Sequence, residues 1–326
     1  MKRRKFITLL GGAAAAAHAW PSVARAQSQK MLRIGVASVN PRDTPFYITF
    51  LKRLRELGYD EGQNFDFEFL KISSPAEYPE GVKELVQRHV DIILAQGPEV
   101  ILKSAMAATS KIPIVMIAID YDPFVRGYVT SLAHPTGNVT GVFFQQIDLS
   151  AKRHEIAKEM VPGLQSAAAF WDSPATDQWQ SLKNAGQNLG MALFGVEMRD
   201  QPYNYGAAWE RVPAEYRRML ILPTSPIFFR DREQIAKFTV ERRIPAMFAF
   251  REWVDVGGLV SYGASITGLF GRAADYVAKL AKGATPQDLP IEQPTKFELI
   301  LNLKTAKAID LTIPEATLLR AAEVIE

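Results

Sequence analysis

Short β-type runs alternate with amphipathic helical runs along most of the chain, and this alternation constrains the fold more than any other feature. Leu32–Val39 (L-R-I-G-V-A-S-V) has the apolar, branched character of a buried strand. Thr44-Pro45 then supplies a helix start, with a capping residue followed by a first-turn proline. Phe46, Phe50, Leu51, Leu54 and Leu57 recur at helical spacing, and Gly58 closes the helix. The same alternation gives a strand at Asn64–Ile72, a helix carrying Val82, Leu85 and Val86, a strand at Asp91–Gly97, a helix over 100–110 and a strand at Ile112–Ile119. Strands separated by helices of this length require right-handed crossovers and a parallel sheet covered on both faces. Residues 31–140 therefore form one α/β lobe.

A second series of the same build covers 141–290. It predicts strands at Ala167–Trp171, Leu193–Met198, Met219–Leu222, Ala246–Phe250 and Leu259–Tyr262, with helices between them and a long amphipathic helix at 268–281. The fold class is thus α/β, with two Rossmann-like lobes and parallel central sheets. The tail differs. Pro286, Pro290 and Pro294 make 284–294 a stiff extended connector. A strand at Lys296–Asn302 and a short helix at Leu303–Ile309 follow, so 291–326 is expected to cross between the lobes and pack back on them. The chain then passes between lobes more than once, through a hinge of several segments.

The first residues read as an export address. Arg3 and Arg4 stand in a basic start, an apolar run extends from Ile7 to Ala19, and Ala24-Arg25-Ala26 precedes Gln27. This three-part layout matches a twin-arginine secretory signal over 1–26, cleaved near Ala26. The apolar run is shorter than the roughly 20 residues a membrane span needs. The expected product is soluble and periplasmic. Five of the 38 basic residues and none of the 35 acidic ones lie in 1–26, so the remainder has 33 basic and 35 acidic residues and a net charge of −2. The basic surface that nucleic-acid binding requires is not indicated. The absence of Cys excludes disulfides, thiolate metal sites, cysteine nucleophiles and lipidation at a cysteine.

Motifs for catalysis are missing: there is no G-x-x-x-x-G-K-[ST], no G-x-G-x-x-G after a strand, no G-x-S-x-G and no H-E-x-x-H. His89, His134 and His154 show no metal-ligand spacing. The reading is of a protein that is no enzyme and takes no cofactor or metal. Ligands of open α/β sheets bind beyond the carboxyl ends of the strands. Those ends carry Ser38, Thr44, Tyr47, Gly97, Asp120, Asp122, Phe144, Trp171, Asp172, Phe228, Phe250, Arg251, Glu252 and Tyr262. The aromatics offer flat walls, the carboxylates accept from amines or hydroxyls, and Arg251 has the fork geometry for a ligand carboxylate. Against this, strand-end aromatics also serve as core, and Arg251 has Asp255 one turn on and Glu252 beside it as structural partners.

Several stretches resemble one family. They are the start M-K-R-R-K-F-I-T-L-L-G-G-A-A-A-A, Ser131–Gly141 (S-L-A-H-P-T-G-N-V-T-G), Arg230–Gln234 (R-D-R-E-Q), Phe248–Gly263 (F-A-F-R-E-W-V-D-V-G-G-L-V-S-Y-G) and Leu289–Lys307 (L-P-I-E-Q-P-T-K-F-E-L-I-L-N-L-K-T-A-K). The sequence is similar to the ABC transporter substrate-binding family that includes tryptophan- and tyrosine-type binding proteins. The resemblance implies a type I periplasmic-binding-protein fold with three crossovers, near Val139–Phe144, Leu259–Gly263 and Glu292–Phe297. It also implies a monomer that feeds a small organic ligand to inner-membrane ABC permease and ATPase subunits. The family's G-D-P-V after the fourth strand is here Asp120-Tyr121-Asp122-Pro123-Phe124, and its S-L-A-R-P-G-G is Ser131–Gly137 with His134 and Thr136. Aromatic amino acids, aromatic acids and other small carboxylates all fit as ligands. A periplasmic sensor for a signalling receptor and an exported α/β enzyme are the competing readings.

Overall fold

A computed structural model describes residues 31–145 and 147–326; the expected signal at 1–26 lies outside them. Two sheets organise the chain. The first contains β1 (Leu32–Ser38), β2 (Phe65–Lys71), β3 (Ile92–Gly97), β4 (Ile114–Ile119) and β5 (Val139–Phe144) in the order β2-β1-β3-β4-β5, parallel throughout. β3 and β5 are buried at every position, as strands covered by helices on both faces must be. Each fully buried Val, Ile or Leu side chain contributes roughly 1.5–3 kcal/mol. Gly141 lets β5 approach β4: its φ is +132°, and a Cβ there would lie 2.1 Å from the Met116 carbonyl oxygen.

The second sheet contains β6 (Ser166–Trp171), β7 (Ala192–Glu197), β8 (Leu220–Ile221), β9 (Ala246–Phe248), β10 (Val260–Gly263), β11 (Glu298–Asn302) and β12 (Glu323–Ile325). Its order is β12-β11-β10-β9-β8-β6-β7. All neighbours are parallel except β10 and β11, because β11 arrives from the hinge and runs against β10. The two α/β lobes expected from the alternation are both present, as a type I binding-protein fold.

Two elements sit elsewhere than the sequence series puts them. β5, at the junction of the series, hydrogen-bonds to β4 and completes the first sheet. The helix Ile266–Ala281, read as part of the second lobe, packs on the helix Pro45–Glu56 of the first. Phe270 meets Phe46 at 4.4 Å between ring centroids and Tyr47 at 5.4 Å, and Arg53 Nε donates to Asp275 at 2.8 Å. Amphipathic spacing shows that a helix has an apolar face; it does not show which sheet covers that face.

The chain passes between the lobes three times. It leaves the first sheet after Phe144 for the helix Ser150–Met160, and leaves the second after Gly263 for Ile266–Ala281. It then runs along β5, where Phe143 N–H donates to the Glu292 carbonyl at 2.9 Å, before entering β11. Arg272 fixes this last strap through Glu292, with Nε to Oε2 at 2.7 Å. The C-terminal helices Leu303–Ala308 and Glu315–Arg320 and strand β12 close the far side of the second lobe, where Arg320 pairs with Glu159.

Candidate ligand-binding site

Because both sheets point their carboxyl ends toward each other, the strand ends and the first turns after them enclose a cavity. It holds about 560 Å³ of empty space, including its mouth. The enclosed part left free for a bound molecule is only about 50 Å³, far below the several hundred Å³ of occupied small-molecule sites, so the walls are nearly in contact. The first lobe supplies Asn40, Phe46, Gln96, Gly97, Pro98, Ile119 and Asp120, together with Ile266 from the helix that crosses back. The second lobe supplies Pro174, Gln178, Thr224, Ser225, Pro226, Phe229, Phe250 and Trp253. The aromatic walls are almost unexposed, with Phe46, Phe250 and Trp253 at 3 % or less. The lobes are therefore closed on one another. Phe46 and Phe229 touch across the cleft at 5.3 Å between centroids.

Polar groups are placed by local backbone features. Gly97 ends β3 with φ +105°, and Pro98 follows as the extended residue before the helix Glu99–Ala108. Asp120 directly follows β4 in the left-handed region, φ +73°, and its Oδ2 accepts from the Thr224 hydroxyl of the other lobe at 2.5 Å. Thr224 is fixed by Gln178, whose Oε1 accepts from Thr224 N–H and whose Nε2 donates to the Thr224 carbonyl, each at 2.7 Å. Ser225 caps the helix Pro226–Arg230 by accepting from Ile227 N–H at 3.1 Å, and donates to Asp172 Oδ2. Burial pushes the Asp172 carboxyl up to about 6, against the lowering effect of the Ser225 and Tyr203 hydroxyls. Beneath the floor, Arg153 donates through Nε to the Tyr262 carbonyl at 2.8 Å. Burial lowers Arg153 to about 10 and the negative charge of Asp120 opposes that shift, so the guanidinium stays charged.

Of the fourteen residues singled out from the sequence, Gly97, Asp120 and Phe250 line this cavity. Ser38 lies just beneath it, accepting from Asn40 N–H at 3.0 Å and Gln96 Nε2 at 3.4 Å. Asp172 lies behind Ser225 and lines an adjoining outer groove. The rest have other contacts. Tyr47 is core, edge-on to Phe46, Phe69 and Phe270, and the Thr44 hydroxyl donates to the Pro41 carbonyl. Asp122 caps its own loop by accepting from Phe124 N–H at 2.8 Å and Val125 N–H at 3.1 Å. Phe144 packs against Phe250 and Phe297 at the hinge, and Phe228 against Tyr203 and Tyr205 in the second lobe.

Trp171 and Arg251 also lie away from the cavity. Trp171 stacks on Trp179 at 6.2 Å with 10° between the rings. Arg251 reaches the C-terminal strand, where its Nη2 donates to Glu323 Oε1 at 2.7 Å, and it pairs with Asp255. The helix Arg251–Asp255 directs that side chain outward, so the carboxylate clamp read from its strand-end position does not form at the cavity. Glu252 is buried with Oε2 unpartnered among the described residues, and burial pushes its carboxyl up to about 7. Tyr262 contributes its carbonyl to Arg153.

Asn40, Phe46, Gln96, Ile119, Gln178, Thr224, Ser225, Phe229, Trp253 and Ile266 line the cavity without having been singled out. Thr224-Ser225-Pro226 carried a usable signal: two hydroxyls ahead of a first-turn proline at a strand end. Among the described residues there is no cluster able to hold a metal ion and no helix long and apolar enough to cross a membrane.

Comparison with known proteins agrees with this architecture. A tyrosine-binding protein of Clostridioides difficile (strain R20291) is 24% identical over 297 residues, covering 88% of this chain and 83% of the relative. A conserved domain protein of Vibrio cholerae O1 biovar El Tor superposes with a TM-score of 0.80 at 22% identity, over 90% of this chain and all of that one. An ABC domain from Streptococcus pneumoniae, solved in complex with L-Trp, gives a TM-score of 0.77 at 22% identity over 91% of this chain and all of that one. Residues 45–325 match the profile described as ABC transporter substrate binding protein, and the chain belongs to that family.

Proposed function

We propose that this protein is the periplasmic solute-binding component of an ABC importer. It captures a small organic ligand with an apolar or aromatic body, an aromatic amino acid foremost, in the cavity between the lobes. The observation that carries this reading is the two-sided wall: residues at or just beyond strand ends of both sheets line one cavity. Such a ligand favours the closed state by its differential affinity for that state, and no covalent step is needed. The tyrosine-binding and L-Trp-bound relatives support an aromatic amino acid, which suits the Phe46, Phe229, Phe250 and Trp253 walls. The closed form is what the permease and ATPase subunits read. Export depends on the signal over 1–26, and the mature protein works as a monomer.

Ligand-stripped protein titrated with the twenty amino acids and with aromatic acids tests the proposal. A binder should raise the melting temperature as its free concentration exceeds Kd and reduce the radius of gyration in small-angle scattering. Saturable binding with unchanged scattering rules out capture by closure.

A further inference from the structure

We infer that Asn40 determines specificity: its side-chain oxygen accepts a polar hydrogen from the ligand's ring, so a phenol or an indole is preferred to a plain phenyl ring. The inference rests on the aromatic-amino-acid reading above and adds which rings the cavity takes.

Asn40 stands two residues beyond β1 and lines the cavity at 4 % exposure. Its backbone N–H donates to Ser38 Oγ at 3.0 Å, which ties the residue to the end of the strand. Its Oδ1 is buried and has no hydrogen-bond partner among the described residues. A buried carbonyl oxygen without a donor is costly, and few such groups are left so in folded proteins. This one belongs to a residue of the cavity wall, where a seated ligand can bring the donor.

The sheet order decides which end of the ligand meets Asn40. β1 and β4 are separated by β3, so their ends lie about 10 Å apart at the usual spacing between strands. At the β4 end, Asp120 bonds to Thr224 and Thr224 to Gln178, so hydrogen-bonding groups of both lobes converge there. The β1 end carries the neutral Asn40, with Phe46 on the helix that follows and Phe229 against Phe46. An amino acid's head group belongs with the convergent polar groups and its ring with Phe46, which leaves Asn40 at the ring's edge. Asn40, Phe46 and Asp120 are all placed by the first lobe, so this order holds however far the second lobe moves to admit a ligand. A neutral oxygen asks for an N–H or O–H and imposes no charge. Tyrosine and tryptophan carry one on the ring, and phenylalanine does not.

Calorimetry on ligand-stripped protein with two matched pairs tests this: L-tyrosine against L-phenylalanine, and L-tryptophan against 3-(3-benzothienyl)-L-alanine. The members of each pair share a head group and differ in the ring's polar hydrogen. In at least one pair the wild type should bind the donor-bearing member roughly tenfold or more tighter, the effect of leaving a buried acceptor unpaired. Asn40→Leu replaces the amide by an apolar group of similar size. It should bring that ratio to about threefold or less, with affinity for the donor-free member holding or rising. Asn40→Ala, which only removes atoms, should shift the ratio the same way, and circular dichroism should report an intact fold for both variants. A wild-type ratio kept in the variants, whether or not all four affinities fall together, means that Asn40 does not read the ring and overturns the inference. A ratio near one in both wild-type pairs overturns it while leaving solute binding intact. Binding of none of the four overturns it as well, and the solute-binding reading is then decided by the broader panel above.

Discussion

Asp120 in the first lobe and Thr224 in the second are joined by a hydrogen bond across the cavity, with Thr224 Oγ1 2.5 Å from Asp120 Oδ2. The same hydroxyl lies 2.9 Å from Gln178 Oε1 in its own lobe. Thr224 has one proton for these two acceptors. When the lobes part, the proton can turn to Gln178, so opening leaves no buried donor unpaired. The contact holds the closed state without making opening prohibitive.

Thr224→Val should therefore favour the open form. The loss of a bond to a charged acceptor, partly replaced by water in the open state, should weaken ligand binding roughly 3- to 30-fold. Stopped-flow binding should show the change mainly in the dissociation rate, and the melting temperature of the ligand-free protein should shift little.

Arg126 and Asp177 form a second contact between the lobes, Nη2 to Oδ2 at 2.5 Å, and about half of each side chain is exposed. Exposed pairs of this kind contribute about 0–1 kcal/mol and are screened by salt. Arg126→Ala should change affinity by less than about fivefold. Calorimetry at low and high salt should show that the variant has lost part of the wild type's salt dependence.

Glu252 should make stability depend on pH in the direction opposite to a paired carboxylate. Its folded value is raised to about 7, so the native state holds the proton more tightly than the unfolded chain does. Its protonated form supports the fold fully below the ordinary carboxylate range, and that support is lost as pH rises through about 7. Glu252→Gln keeps the neutral form at every pH. Urea unfolding should show the variant gaining on the wild type between pH 5 and pH 8, by on the order of 1–3 kcal/mol.

Arg251→Gln should leave ligand affinity unchanged, because its guanidinium faces Glu323 and Asp255 rather than the cavity. The loss of an exposed two-partner ion pair should lower stability by about 1 kcal/mol at most, read by chemical denaturation.

The architecture was legible where a single run decides a strand. Ile92–Ala95 and Ile114–Ile119 are continuous apolar runs, and the strands Ile92–Gly97 and Ile114–Ile119 became the buried centre of the first sheet. The home of Ile266–Ala281 was not legible, since its partner helix Pro45–Glu56 lies more than 200 residues earlier. For the site, the strand-end rule reached Gly97, Asp120 and Phe250 because each sits directly at the end of a strand or one or two residues beyond it. Gln178, Phe229 and Trp253 escaped because they stand within the helix that follows, where the direction of a side chain depends on the local turn. Arg251 misled for a related reason: its partner Glu323 is 72 residues away, on a strand with no local signal.

The central claim is that a solute held between the lobes closes them, and the cysteine-free chain makes that directly measurable. Spin labels at Lys103→Cys and Gln180→Cys, on exposed positions of helices that flank the cleft in opposite lobes, report the separation by electron paramagnetic resonance. The account predicts a broad, longer distance distribution in ligand-stripped protein that collapses to one shorter distance when a ligand from the panel saturates it. A distribution unchanged between empty and saturated protein would contradict it.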